Sequence, residues 1–148
     1  MEFLTTIKEQ LPDWAKDIRL NLDAVIARST LAPEDAVGAA LSAAYAARSP
    51  VLVEAFKSGL SEGDANAALT ASALMGMNNT WYPYVEMTGD AQLKSLPAQL
   101  RMNAYATHGG VDKKRFELFA LVPSIIGKCH FCVASHYENL KNDGLSTE

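Results

Sequence analysis

A chain of 148 residues, 49% hydrophobic and 20% charged, is long enough for one domain with a real core and too short for two. Its net charge is −4, from 13 Lys and Arg against 17 Asp and Glu. The basic residues are scattered, so nucleic acid is not an expected partner. The first ten residues, Met1 to Gln10, have neither the basic start nor the apolar stretch of a signal peptide. No apolar run reaches membrane-spanning length, and the expected setting is the cytoplasm, where thiols stay reduced.

Helix signals dominate and no alternating strand is visible. Pro12 suits a first helical turn, with Trp14, Ile18, Leu22, Val25 and Ile26 recurring at helical spacing behind it. Pro33-Glu34-Asp35 opens an alanine-rich helix ending near Arg48-Ser49-Pro50, and Pro50 starts a short one through Leu60. Ser61 or Asp64 then caps a long helix from Ala65 to about Trp81, which Pro83 is expected to end. Along it Ala68, Ser72 and Gly76 form a row of small residues that permits close helix approach. Leu93 to Ala106 reads as a further helix, interrupted at Pro97. His108-Gly109-Gly110 is a turn, and Asp112 caps the helix containing Phe116 to Val122, which Pro123 should kink or shorten. Gly127 breaks it, Cys129 begins the last helix, and Gly144 stops that one as a left-handed cap would. Six or seven helices with short connections describe a compact all-α domain spanning residues 1–148.

The chain's only two cysteines lie in Cys129-His130-Phe131-Cys132-Val133-Ala134-Ser135-His136. A helix turns about 100° per residue, so from Cys129 the residue Cys132 falls about 60° to one side and His136 about 20° to that same side. Two thiols and an imidazole therefore share one stripe, close enough to exchange protons or electrons. Two inert buried cysteines with a surface histidine would not account for that arrangement. Cys129 sits at a helix amino terminus, where free N–H groups and the helix dipole favour a thiolate, and His136 can accept a thiol proton. Glu117 is the less obvious member. It lies inside the apolar run Phe116 to Ile126, and a carboxylate buried there is costly unless something pairs with it. His130 and Phe131 point off the stripe, His108 reads as a turn residue, and Met75 and Met77 read as core filling.

Zinc is the chemical rival: Cys129, Cys132, His136 and Glu117 or His130 could make a tetrahedral site. The pattern is incomplete, since there is no second cysteine pair. Haem attachment would need histidine where Val133 stands, and a thioredoxin-like domain would need strands.

Glu117, eleven residues, Cys129-x-x-Cys132, three residues and His136 together resemble the signature of the alkyl hydroperoxidase D (AhpD) family, within the carboxymuconolactone decarboxylase superfamily. Leu11-Pro12, Ala15-Lys16-Asp17-Ile18, Leu20-Asn21-Leu22, Met75-Gly76-Met77-Asn78-Asn79, Leu100-Arg101-Met102-Asn103 and Phe116-Glu117-Leu118 extend the resemblance over essentially the whole chain. It implies a helical peroxidase that reduces alkyl hydroperoxides. Cys132 would be the peroxidatic residue, passing through a sulfenic acid. Cys129 would donate a proton to the leaving alkoxide and then resolve Cys132 into a Cys129–Cys132 disulfide, with His136 and Glu117 as the proton relay. No tightly bound cofactor is implied. Dihydrolipoamide, carried on a 2-oxo-acid dehydrogenase acyltransferase, would be the reductant, a peroxiredoxin of the alkyl hydroperoxide reductase C type another partner, and a homotrimer the assembly. The dipole argument favours Cys129 as the thiolate, whereas the resemblance gives the sulfenate to Cys132, one turn from His136.

Two departures stand against this pattern. Family members often carry histidine immediately before the second cysteine, where this chain has Phe131, which puts any role of His130 in doubt. The family also continues with another long helix, while this sequence stops at Glu148, so packing or assembly that needs that helix is expected to differ. Other readings are a non-catalytic redox or zinc-sensing binding protein, or a decarboxylase-like enzyme on the same fold.

Overall fold

The computed structural model describes residues 1–148 and contains nine α-helices and no strand. They are α1 (Glu2–Glu9), α2 (Lys16–Leu22), α3 (Pro33–Ala46), α4 (Pro50–Lys57), α5 (Glu62–Thr88), α6 (Ala91–Ser95), α7 (Asn103–Thr107), α8 (Lys113–Ile126) and α9 (His130–Asn142). The all-α expectation holds, with more and shorter pieces than six or seven. None of the helices is long and apolar enough to cross a membrane.

Three helices, α3, α5 and α8, make the centre, and α9 lies against α8 and α5. Their shared core includes Val37, Leu41, Ala67, Ala71, Met75, Phe116 and Phe119. Small residues let the backbones close in. A methyl group on Gly38 of α3 would overlap the Phe119 ring, which is wholly buried. The buried hydroxyls in this packing are spent on backbone carbonyls: Ser72 of α5 donates to the Ser42 oxygen at 3.0 Å, and Ser42 of α3 donates to the Phe119 oxygen of α8 at 2.7 Å. Arg115 of α8 adds an ionic tie, reaching Asp35 of α3 at 2.5 Å and Asp64 of α5 at 2.7 Å.

Several predicted boundaries move, each for a physical reason. Glu2–Glu9 is a helix that the sequence reading leaves out; it earns its place by burying Leu4 and Ile7. The expected helix behind Pro12 breaks into a 3-10 turn over Asp13–Ala15, then α2, then a π-turn over Asp23–Ala27. Its apolar stripe meets the core only at its end: Ile26 is buried and Leu22 packs against the core, while Trp14, Ile18 and Val25 are exposed. Pro83 does not end α5, which runs on to Thr88 and stops at Gly89, left-handed at φ 64°. A proline lacks one donor within a helix, and packing over a helix of 27 residues outweighs that loss. Gly76 serves no close approach, since nothing lies within 4 Å of a Cβ placed there.

Pro97 splits the expected Leu93–Ala106 helix more fully than an interruption. Leu96 before it is extended, as the residue preceding proline prefers, and α6 and α7 are separate short helices. Pro123 does not shorten α8, which continues to Ile126. Ser61 and Asp112 cap α5 and α8 as expected, accepting from the N–H groups of Asp64 at 3.1 Å and Arg115 at 2.9 Å. The last helix ends at Asn142, with Gly144 left-handed just beyond.

Because the Phe119 ring cannot retreat, Gly38→Ala should destabilise the protein by about 1–3 kcal/mol, the usual cost of overpacking a core. Denaturant unfolding of the purified variant measures this directly, and an unchanged midpoint would show that the α3–α8 contact has slack.

Candidate active site

Helix α9 begins at the motif. Cys129 occupies the N-cap position, where its sulfur accepts from the Cys132 N–H at 3.3 Å. The approach to this cap is fixed from α8: the Cys129 N–H bonds the Ser124 oxygen at 3.1 Å, and the Pro123 oxygen receives both the Gly127 N–H and the Asn79 amide at 2.9 Å. The two sulfurs are joined in a disulfide, with Cα atoms 5.2 Å apart, and both cysteines are buried. Cys129 Sγ also lies 4.0 Å from the Asn78 carbonyl oxygen of α5.

One turn past Cys132, His136 turns its ring inward. Its Nδ1 is 2.5 Å from Glu117 Oε2, and its Nε2 is 3.1 Å from the sulfur of Met75. Glu117 is 1% exposed, deep in α8 where the apolar run put it. Its other oxygen accepts a hydrogen bond from the Tyr105 hydroxyl of α7. Burial pushes the Glu117 carboxyl up. The hydrogen bonds from His136 and Tyr105, the charge of His136 and a bond from Asn139 outweigh this and hold it below the usual carboxylate value. The carboxylate is therefore a buried charge that is paired on both oxygens, the condition under which such burial is tolerated.

Of the residues singled out from sequence, the structure brings Glu117 and His136 into contact and bonds Cys129 to Cys132 on the same helix. His130 is elsewhere: it points outward and meets Glu86 of α5 at 2.8 Å. Phe131, also exposed, stacks on Tyr82 with ring centroids 4.3 Å apart. His108 shapes the turn before α8, accepting from the Gly110 N–H at 3.1 Å and stacking on Phe116 at 4.3 Å. No group of three or more His, Cys, Asp or Glu is arranged to hold a metal ion. Met75 is core filling as expected, yet it also touches the imidazole; Met77 lies outside the core and is 37% exposed. Tyr105 and Asn139 escape the sequence reading. Asn139 could have been found, lying one turn beyond His136, but nothing in the spacing marks Tyr105, which arrives from a separate short helix.

A buried acid–imidazole pair thus stands beside a Cys-x-x-Cys disulfide, and the chain as a whole is similar to a set of known proteins. Alkyl hydroperoxide reductase AhpD of Rhodospirillum centenum is 41% identical over 150 residues, covering 98% of this chain and 80% of that protein. The AhpD of Bradyrhizobium sp. is 41% identical over 95% of this chain and 79% of its own length, and that of Coxiella burnetii 40% identical over 97% and 84%. This chain belongs to the AhpD family. The description "Carboxymuconolactone decarboxylase family" also matches residues 91–148, the part of this AhpD-family enzyme that holds α6 to α9 and every acidic, thiol and imidazole group of the site.

Because Glu117 titrates lower in the fold than in the unfolded chain, its contribution to stability is complete above the ordinary carboxylate range and is lost as pH falls through its depressed value. Urea unfolding from about pH 7 to about pH 3 should show Glu117→Gln losing that part of the acid dependence, so the stability gap between the two proteins narrows toward low pH. A gap that stays constant across the range would mean that the carboxyl titrates alike in the folded and the unfolded chain, and a gap that changes in the opposite sense would mean that it is protonated in the native state.

Proposed function

We propose that this enzyme is a thiol peroxidase that reduces alkyl hydroperoxides and is recycled by dihydrolipoamide. The observation that carries the reading is the buried Glu117–His136 pair, one turn from Cys132 on the helix whose amino terminus holds Cys129.

In the dithiol form the Cys132 thiolate attacks the terminal peroxide oxygen. The O–O bond breaks, Cys132 becomes a sulfenic acid, and the alkoxide takes a proton from Cys129 to leave as the alcohol. The Cys129 thiolate then attacks the Cys132 sulfur and expels hydroxide, which a proton from His136 converts to water. Glu117 stabilises the charge that forms on His136 while it holds the ring in place. Two electrons pass from the dithiol to the peroxide, and the disulfide remains. Dihydrolipoamide returns two electrons and two protons through thiol–disulfide exchange, closing its own ring.

One local contact bears on the conflict between dipole and resemblance. The Asn78 carbonyl beside Cys129 Sγ is an acceptor, which favours a thiol over a thiolate at that position, and so favours Cys129 as proton donor and Cys132 as nucleophile. The cleft lined by Trp81, Tyr82, Leu96 and Phe131 has a volume of about 880 Å³ and lies beside the motif, where its aromatic side suits an alkyl chain. A lipoyl-bearing 2-oxo-acid dehydrogenase acyltransferase supplies the reductant in the cytoplasm, and a peroxiredoxin of the alkyl hydroperoxide reductase C type is a second recipient of the electrons. A homotrimer is the working assembly. The groove between α2 and α3, lined only by apolar side chains including Ile18, Leu22 and Val25, supports burial against another copy.

Mixing the reduced protein with one equivalent of an organic hydroperoxide and following intact mass tests the scheme. The wild type should lose two hydrogens as the disulfide closes and regain them with dihydrolipoamide. Cys132→Ser should abolish turnover, and Cys129→Ser should stop at a single added oxygen. Glu117→Gln and His136→Phe should slow turnover by about 10²-fold or more, the usual worth of a positioned proton-transfer group. Undiminished peroxide consumption in both cysteine variants would sink the assignment, as would bound zinc with no consumption. Activity that survives loss of both thiols would point instead to decarboxylase-like chemistry.

A further inference from the structure

Both oxygens of the Glu117 carboxylate are occupied, and the two partners come from different places. His136 belongs to the motif helix, whereas Tyr105 belongs to α7, a five-residue helix that rests on α5. The Tyr105 ring is set by packing as well as by its hydroxyl, meeting Phe116 edge-on at 5.1 Å between centroids and 81° between planes. It is half-buried while Glu117 is sealed, so the phenol stands between the carboxylate and solvent.

We propose that Tyr105 is a positioning residue of the proton relay: its hydroxyl donates to Glu117 Oε1, keeps the carboxylate ionised and fixes Oε2 on His136. The catalytic consequence rests on the peroxidase reading; the hold on Glu117 does not. Tyr105 stays protonated and donates to Glu117, because burial first, and then the hydrogen bond to Glu117 and its charge, push the phenol above its usual range. The groups around the pair are few. Helix α9 supplies His136 and the neutral Asn139, and Asp143 beyond its end acts on the phenol while pairing with Lys113 of α8 at 3.9 Å. Arg115, two residues along α8, is taken by Asp35 and Asp64, and α5 offers only the Met75 thioether. Removing the Tyr105 hydroxyl therefore removes the donor on Oε1 and leaves His136 on Oε2 with the lesser help of Asn139, without exposing another charge.

Tyr105→Phe keeps the ring and its packing on Phe116. In the oxidised protein, the Glu117 carboxyl carbon can be titrated by NMR, its resonance assigned through Glu117→Gln. The midpoint should rise by about one pH unit in Tyr105→Phe, the scale expected for losing a hydrogen bond to a charged group. With organic hydroperoxide as substrate, the acid limb of kcat/KM should move up with it, so the variant's deficit deepens as pH falls; a merely structural defect would lower the rate equally at every pH. Replacing Tyr105 by 3-fluorotyrosine retains fold and hydroxyl but strengthens the donor, and should move the midpoint down. An unchanged midpoint in either protein overturns the proposal. A midpoint that shifts in proteins that consume no peroxide would leave Tyr105 as the holder of Glu117 and refute the peroxidase reading instead.

Discussion

A carboxylate buried at the meeting of three helices organises this molecule. Glu117 stands in a stretch of α8 whose neighbours Phe116, Phe119 and Ala120 are in the core, so its charge has no water to rely on. The compensation comes from α7 through Tyr105 and from α9 through His136 and Asn139. An unpaired charge at this depth would cost several kcal/mol, a large fraction of the stability of a domain this size. The contacts that assemble the candidate site are thus the same contacts that make its buried charge tolerable to fold.

That carboxylate can only meet its partners because the scaffold beneath α8 is fixed. Close approach over Gly38, the serine hydroxyls spent on the Ser42 and Phe119 carbonyls, and the Arg115 bridge to Asp35 and Asp64 lock α8 against α3 and α5. The short connection after Ile126 then delivers Cys129 to the start of α9, with Asn79 of α5 bracing it through the Pro123 carbonyl. Sulfur at the N-cap, a second sulfur in the first turn, imidazole about one turn beyond that and acid across the interface follow from that one connection. The Asn78 carbonyl lies near Cys129 Sγ, so the two sulfurs have unequal surroundings.

Much of this could be read from the residues in order. Cys129, Cys132 and His136 share a stripe through helical periodicity alone, and caps such as Ser61 and Asp112 announce helix starts through local hydrogen bonding. Glu117 was legible as a contradiction, an acid in an apolar run. The misreadings have a common cause. Pro83 locally signals a helix end and Gly76 a close approach, whereas α5 continues through the one and makes no close contact at the other, because packing along a long helix overrides single-residue preferences. The stripe Trp14, Ile18 and Val25 looks like core and is exposed, since periodicity shows that a helix has an apolar face and not what that face meets.

The sequence by itself determined the all-helical character, the positions of most helix starts and the alignment of two sulfurs with an imidazole, all of which depend on interactions within a few residues. Only the tertiary structure decided that Tyr105, twelve residues before Glu117 and on another helix, closes the carboxylate's second oxygen, and that His130 turns away to Glu86. Those outcomes depend on how separate helices are set against one another, and that geometry is fixed by shape complementarity across the whole core, which no local spacing encodes.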